Sequence, residues 1–420
     1  MPRKVCIVSP GNLASNPRVL KEADALHDAG YAVTAVVSDY TAALRSFDDA
    51  IVAKVPWTVV RVPRPSWERY LRVASKISAR GLSSVGLGVP VWLGANALGG
   101  IAHALCRAVR DLPADLYIAH YTAALPAAAA AARRHGGMLG FDAEDFHPGE
   151  STGSAKEAFH MAMVRVVESG CLPQCKHMTT AAPLIGEAYK SLYGVSSTTV
   201  LNVFPLEMLT ASARRQRVPR RATESLVAYW FSQTVGLDRG LQAFIGAMAR
   251  AKAQISLDIR GSDRWGHGKT LMALARELGV AERVTLLPMA APEEMVDLAA
   301  AYDIGLSLET GETESRRLCL TNKIFTYLLA GVPVVMSDTP AQSALAADMG
   351  EAAVLVSLAD PAAMACALDR LAGSPDVLSR AKTTASRLGH QRYNWDVEKR
   401  ALVSSVERAF AQRRKEGAYN

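Results

Sequence analysis

At 420 residues the chain is long enough for two domains, each able to bury a full core. Half of its residues are hydrophobic and 21% are charged, ordinary values for a globular protein. The formal charge of +7 permits attraction to phosphates or an anionic surface but requires neither, and no nucleic-acid partner is expected from it.

The first element is the uninterrupted apolar run Val5–Val8, as a parallel strand covered on both faces would show. It begins so close to Met1 that no signal peptide is expected ahead of it, and a cytoplasmic location follows. In SPGNLASNPRVLKEADALHDAG, Asn16 can cap a helix, Pro17 occupies its first turn and Gly30 ends it. Val19, Leu20, Ala23 and Leu26 then share one face. Further strands are expected at Ala32–Val37, Trp57–Val62, Leu116–Ala119, Met138–Phe141 and Met178–Ala181, with the alanine run near Ala127–Ala132 as a helix. The six cysteines, at positions 6, 106, 171, 175, 319 and 366, lack zinc-ligand spacing and read as reduced core thiols.

Two stretches bear on membranes. In SWERYLRVASKISARG, Arg69, Arg72, Lys76 and Arg80 recur every three or four residues, and Trp67, Tyr70, Leu71, Ala74 and Ile77 supply an apolar side. Such a helix either packs on its own domain or lies on an anionic leaflet. The following stretch, Gly81–Cys106, contains no Lys, Arg, Asp or Glu, but its glycines, Pro90, Asn96 and His103 suit a buried or interfacial segment better than a membrane span.

ASARRQRVPRRATE (Ala211–Glu224) reads as an exposed linker, with phosphate binding as the other reading of its five arginines. A second series of strands follows at Leu226–Phe231, Ile255–Ile259, Val284–Leu287, Ile304–Leu308, Val332–Met336 and Val354–Val356, with helical patterns such as Leu241–Ala251 and Glu293–Ala301 between them. The expectation is α/β: two Rossmann-like, doubly wound domains facing across a cleft, with ligands at the loops after the strands. No GxGxxG follows Val5–Val8, which counts against a nicotinamide or flavin enzyme.

Taken in order, SNPRVLKEADALHDAGYAVT, DLYIAHYTAALP and LTNKIFTYLLAGVPVV with SDTP resemble the GT-B glycosyltransferases, in particular the retaining family 4 (group 1) type. The resemblance covers nearly the whole chain. It implies an N-terminal acceptor-binding domain over 1–205, a linker over 206–224 and a C-terminal nucleotide-sugar domain over 225–394. A terminal helix from about 395 to 420 would pack back on the first domain.

The same resemblance implies a retaining transferase that moves a hexosyl group from a nucleoside diphosphate sugar to a hydroxyl acceptor. A glycan or lipid-linked acceptor would suit polysaccharide or cell-envelope synthesis, possible at the inner face of the membrane; no further cofactor and no bound metal are expected. His120 matches a histidine that contacts the donor sugar, although a lone His beside a strand also reads as a core residue. Arg239 stands where a lysine often neutralises the departing diphosphate, and Gln233 where an arginine often does. Arg264, Arg316 and Arg317 are candidates to compensate.

At the late helix, Thr321 is the expected N-cap, with the amides of Asn322 and Lys323 and the Lys323 ammonium available to phosphate. The family's paired acids fall on Leu318 and Thr326, and a threonine hydroxyl supplies at most a weak substitute for a ribose-binding carboxylate. One of Glu309, Glu312 and Glu314 can reach the hexose instead. Gly261 and Ser262 match the turn beneath the diphosphate, and Met289 the backbone that reads the base. On the first domain Gly11, Asn16, Arg18, Asp142 and Asp145 are acceptor-binding candidates, with Glu144 placed to assist proton transfer. The losses at Leu318, Thr326 and Gln233 keep two alternatives open: a weak or inactive GT-B scaffold or partner subunit, and another GT-B enzyme such as a sugar-nucleotide epimerase.

Overall fold

The computed structural model describes residues 1–210 and 225–418; the arginine-rich stretch Ala211–Glu224 lies outside the described residues. The chain divides into two compact units. The first comprises Met1–Val200, Thr313–Ser315 and Lys399–Asn420, and the second Leu201–Glu312 and Arg316–Glu398.

In the first unit, β1 (Lys4–Val8), β2 (Ala32–Asp39), β3 (Thr58–Pro63), β4 (Leu116–His120), β5 (Met138–Ala143), β6 (Cys175–Thr180) and β7 (Thr198–Thr199) form one sheet. Every pair is parallel, in the order β3-β2-β1-β4-β5-β6-β7. The second unit repeats the plan with β8 (Leu226–Thr234), β9 (Ile255–Ser262), β10 (Val284–Leu287), β11 (Ile304–Ser307), β12 (Val334–Ser337) and β13 (Ala353–Val356). Its order is β10-β9-β8-β11-β12-β13, again all parallel. All residues of β4, β11 and β12 are buried, because helices cover both faces and no strand face is left for water. In each unit the strand order reverses once, between β1 and β4 and between β8 and β11. Ligands of such sheets sit at that reversal, beyond the carboxyl ends of the strands.

The opening helix, Pro17–Asp28, forms as its sequence predicts. Asn16 Oδ1 accepts the Val19 N–H at 3.1 Å, Pro17 needs no donor at the first position, and Gly30 turns the chain at φ 87°. Val19, Ala23 and Leu26 pack in one core with Val406 and Phe410 of the terminal helix Trp395–Ala418. In the second unit Gly305 lies against the ring of Tyr327, which is itself pinned by a 2.8 Å hydrogen bond from its hydroxyl to the Tyr229 carbonyl. A Cβ on residue 305 would stand 2.3 Å from that ring. Gly305→Ala should therefore lose about 1–3 kcal/mol of stability, the usual cost of overfilling a core, read as a lower urea midpoint with an unchanged slope.

The uncharged stretch folds as two short helices, Val91–Leu98 and Ile101–Val109. No helix among the described residues is long and apolar enough to cross a membrane.

Candidate functional site

Four charged side chains gather where the second sheet reverses. β8 leads into the turn Leu237–Arg239, and Gly240 follows at φ 65°. A Cβ at Gly240 would lie 2.8 Å from both the Leu308 carbonyl oxygen and the Leu308 Cβ, so only glycine lets this turn rest against the end of β11. That contact brings Arg239 beside Glu309. The Glu309 carboxylate is 2% exposed. Arg239 Nη1 lies 3.5 Å from its Oε2, Arg316 Nη1 3.3 Å from the same oxygen, and Lys323 Nζ 3.7 Å from Oε1.

Three cations share this carboxylate, and Arg239 Nε also lies 3.6 Å from Asp238 Oδ2, so the group with Asp238 keeps a formal excess of one positive charge. The Lys323 ammonium is buried, which pushes its pKa down; Arg239 and Arg316 push the same way, and Glu309 opposes them. Glu309 therefore holds these cations at close quarters. An anion arriving at the group would meet arginines whose positions are already set, and ordering them on arrival would cost nothing further.

The helix Asn322–Ala330 starts beside this cluster, and Gly331 closes it at φ 69°. The Thr321 hydroxyl does not cap it: its Oγ1 lies 3.1 Å from Ser307 Oγ and ties the helix start to the end of β11. The first-turn N–H groups around Asn322 and Lys323 have no partner inside the helix, and Asn322 is exposed. Thr326 is in a different situation. It is fully buried and its hydroxyl donates to the Asn322 carbonyl at 3.1 Å, a placement that does not favour the expected ribose contact.

Gly261 and Ser262 belong to β9 and not to a turn after it. The Ser262 carbonyl accepts the Val235 N–H at 3.0 Å, and a Cβ on Gly261 would meet the Ser232 carbonyl at 2.8 Å. This glycine is required by strand packing. The turn falls later, at Asp263–Gly266, where Gly266 N–H reaches the Asp263 carbonyl. Met289 lies on the exposed loop after β10, next to Pro288, whose carbonyl accepts from Arg260 at 2.9 Å.

In the first unit, the ends of β4, β5 and β6 and the opening helix share a buried charge network. Arg18 grips Asp142 through two bonds of 2.6 and 2.7 Å and donates a third, of 2.8 Å, to the Val200 carbonyl. Thr179 donates to the same carboxylate. His120 Nε2 lies 2.5 Å from Glu22 Oε2, and its Nδ1 3.4 Å from Asp142 Oδ2. Burial works against the His120 charge, but Glu22 and Asp142 outweigh it and raise the pKa. Burial likewise opposes ionisation of Asp142, and Arg18 with His120 wins and holds its carboxyl well below the usual range.

The consequence is a correction for the acceptor-binding expectations. Arg18 and Asp142 are spent on each other, and Asn16 on the helix cap; the three are almost fully buried. Gly11 is half-buried, and a Cβ there would meet only Ser15 Oγ, at 3.5 Å, so no protein atom demands a glycine at this turn. Glu144 and Asp145 are partly exposed, and burial raises the Glu144 pKa. Two residues were missed. Glu22 carried a signal, since Arg18 and Glu22 are charges one turn apart on an otherwise apolar face. Tyr121 carried none: it follows His120 with φ 63° and ψ 147°, a conformation costly for any side chain and characteristic of working sites.

His147, whose Nδ1 lies 2.8 Å from Glu150 Oε1, gives a direct check on the electrostatics of this unit. Burial disfavours its charge, but Glu150 and Glu168 prevail and its pKa is pushed up to about 9. Its contribution to stability is therefore complete below the ordinary value of 6.5 and lost as pH rises through about 9. NMR titration of the His147 ring should give a midpoint near 9, and the His147→Gln variant should lack that part of the pH dependence.

A cavity of about 880 Å³ in the second unit, lined by Tyr302, Asp303, Val332, Lys382 and His390, opens at the amino ends of β11 and β12. It is at the opposite edge of the sheet from Glu309 and takes no part in the charge cluster.

Two doubly wound units of this strand order make up the GT-B fold, and solved GT-B structures cover nearly the whole chain. HepE of Anabaena, solved in complex with UDP and glucose, is 14% identical, with 96% of this chain and 99% of that one covered at a TM-score of 0.69. Sucrose-phosphate synthase of Thermosynechococcus elongatus is 15% identical, with 98% and 100% covered at a TM-score of 0.68. WaaG, a glycosyltransferase involved in lipopolysaccharide biosynthesis, is 14% identical, with 95% and 98% covered at a TM-score of 0.60. At such identities the likeness establishes the fold alone. The sequence model of the family described as Glycosyl transferases group 1 matches residues 229–374, a stretch of the second unit that contains Arg239, Glu309, Arg316 and Lys323. No curated protein sequence matches the chain.

Proposed function

We propose that the protein is a nucleotide-sugar-dependent glycosyltransferase of the retaining type, moving a hexosyl group to a hydroxyl of a glycan or lipid-linked acceptor. The observation that carries this reading is the group of three cations on buried Glu309, at the strand reversal and beside the start of a helix. A nucleoside diphosphate fits that group because its oxygens take both the guanidinium forks and the first-turn amides. The family match over this same stretch supports the reading, as does the UDP bound by HepE.

In the reaction, the bond from the sugar C1 to the diphosphate oxygen breaks and a bond from C1 to the acceptor oxygen forms on the same face. The acceptor proton passes to a departing phosphate oxygen. Negative charge grows on the diphosphate as the bond breaks, and Arg239, Arg316 and Lys323 answer it without a metal held by the protein. With the Thr326 hydroxyl buried and engaged on the Asn322 carbonyl, donor affinity in this reading rests more heavily on phosphate.

Thermal shift with a panel of nucleoside diphosphates tests this: one of them should raise the melting point of the wild type selectively. Arg239→Ala should then lower kcat by roughly 10²–10³-fold, as loss of a preorganised donor does, with turnover followed by release of the nucleoside diphosphate. If no nucleoside diphosphate binds, the reading fails. The buried Thr326 favours a second reading, a non-catalytic scaffold, for which nucleotide would bind without turnover on any acceptor. Turnover without an acceptor would indicate an epimerase.

A further inference from the structure

The helix Glu68–Ser84 is turned inside out. Its buried positions are Glu68, Ser75 and Ala79, small or polar residues facing the helices Val91–Leu98 and Ala155–Cys171. Glu68 serves as an internal anchor, accepting from Arg64 at 2.8 Å and from the Gly100 N–H at 3.2 Å. Leu82 packs with Ala79, but other large apolar side chains are on the opposite side: Tyr70 is 77% exposed and Ile77 68%, with Val73 between them at helical spacing. Val85, Leu87 and Trp92, in the segment after the helix, are exposed as well. Scattered exposed hydrophobics need no explanation, but three on one face of one helix do.

One edge of the row is basic. Arg69, Lys76 and Arg80 flank it, and Lys76 and Arg80 also line a cavity of about 190 Å³ together with Lys156 and His160. The two carboxylates of that cavity are engaged elsewhere, Glu150 with His147 and Glu157 with Ser154 and Thr152. Lys76 is held below its ordinary pKa by burial and by the nearby Arg72, Lys156 and Arg80 charges, so the cations here repel one another, and none of Lys76, Arg80 and Lys156 forms an ion pair among the described residues.

We propose that this surface docks on an anionic phospholipid bilayer, with Tyr70, Val73 and Ile77 entering the acyl boundary and the cavity between Lys76, Arg80 and Lys156 taking a lipid phosphate. The apolar row alone would suit any apolar partner; the basic edge and its cavity select a surface that is apolar beneath and phosphate-coated above. The inference stands on the first unit and does not depend on the transferase reading.

The test is co-sedimentation of the full chain with phosphatidylcholine vesicles, with and without phosphatidylglycerol. The wild type should bind the phosphatidylglycerol vesicles and release as salt rises. Y70S/I77S, at exposed positions, should keep its melting point and its response to nucleoside diphosphates while its vesicle partition falls about tenfold or more. K76E/R80E should lose the preference for phosphatidylglycerol, by roughly fivefold per charge. Wild-type chain that stays in solution overturns the proposal. So does unchanged partition of Y70S/I77S, or a concentration-dependent dimer that Y70S/I77S abolishes. Binding of inorganic phosphate without vesicle binding would mean a free-anion site and would overturn it too.

Discussion

Replacing Glu309 by Gln should destabilise the second unit by about 3–5 kcal/mol, the range seen when one partner of a buried ion cluster is removed. The volume is unchanged, so the loss is electrostatic. Lys323, 7% exposed, and Arg239 would be left facing each other and Arg316 without the carboxylate that holds them. Part of this loss has an outlet, because Lys323 already has a lowered pKa and can shed its proton. The arginines cannot. Urea unfolding measures the loss, and the second half of the prediction is more specific. Inorganic pyrophosphate, which supplies the missing negative charge, should restore more stability to E309Q than to the wild type. A loss below about 1 kcal/mol, in the range of an exposed ion pair, would mean that Glu309 does not organise the cluster.

Arg18→Met should be comparably damaging to the first unit, again about 3–5 kcal/mol. Asp142 loses both charged bonds and remains buried, with Thr179 and His120 its remaining partners among the described residues. The pH dependence distinguishes this from simple loss of packing. In the wild type Asp142 has a depressed folded pKa, so its contribution is present above the unfolded value of 3.8 and fades as pH falls through the folded one. His120 has a raised folded pKa; its contribution is complete below 6.5 and fades as pH rises through the folded value. With Arg18 gone, His120 is the remaining buried cation on Asp142. The variant should therefore lose stability with rising pH more steeply than the wild type. R18M/D142L, which removes the charge along with its partner, should recover much of the loss.

Legibility of the fold followed from burial. Strands covered on both faces read as unbroken apolar runs, and twelve of the expected positions coincide with β1–β6 and β8–β13. β7 is only Thr198–Thr199, polar and two residues long, and carries no such signal. The helix Asn322–Ala330 was legible from its ends, where Thr321 takes the extended conformation of a capping position and Gly331 the left-handed one. The part assigned to the Thr321 hydroxyl was not, since capping and tying down to Ser307 use the same atom. Among Glu309, Glu312 and Glu314 the sequence offered no choice, and only burial separates Glu309 from the others.

The sequence by itself determined two parallel doubly wound units, their strands and the helix starts beside them, because apolar periodicity, proline and glycine act over a few residues. Only the tertiary structure decided how the charges are used. It turned Arg18 and Asp142 from candidate ligands into each other's partners, buried Thr326, and assembled Arg239, Glu309, Arg316 and Lys323 around one carboxylate. The energy of a charge depends on its distance to other charges and to water, and neither distance is written in the local order of residues.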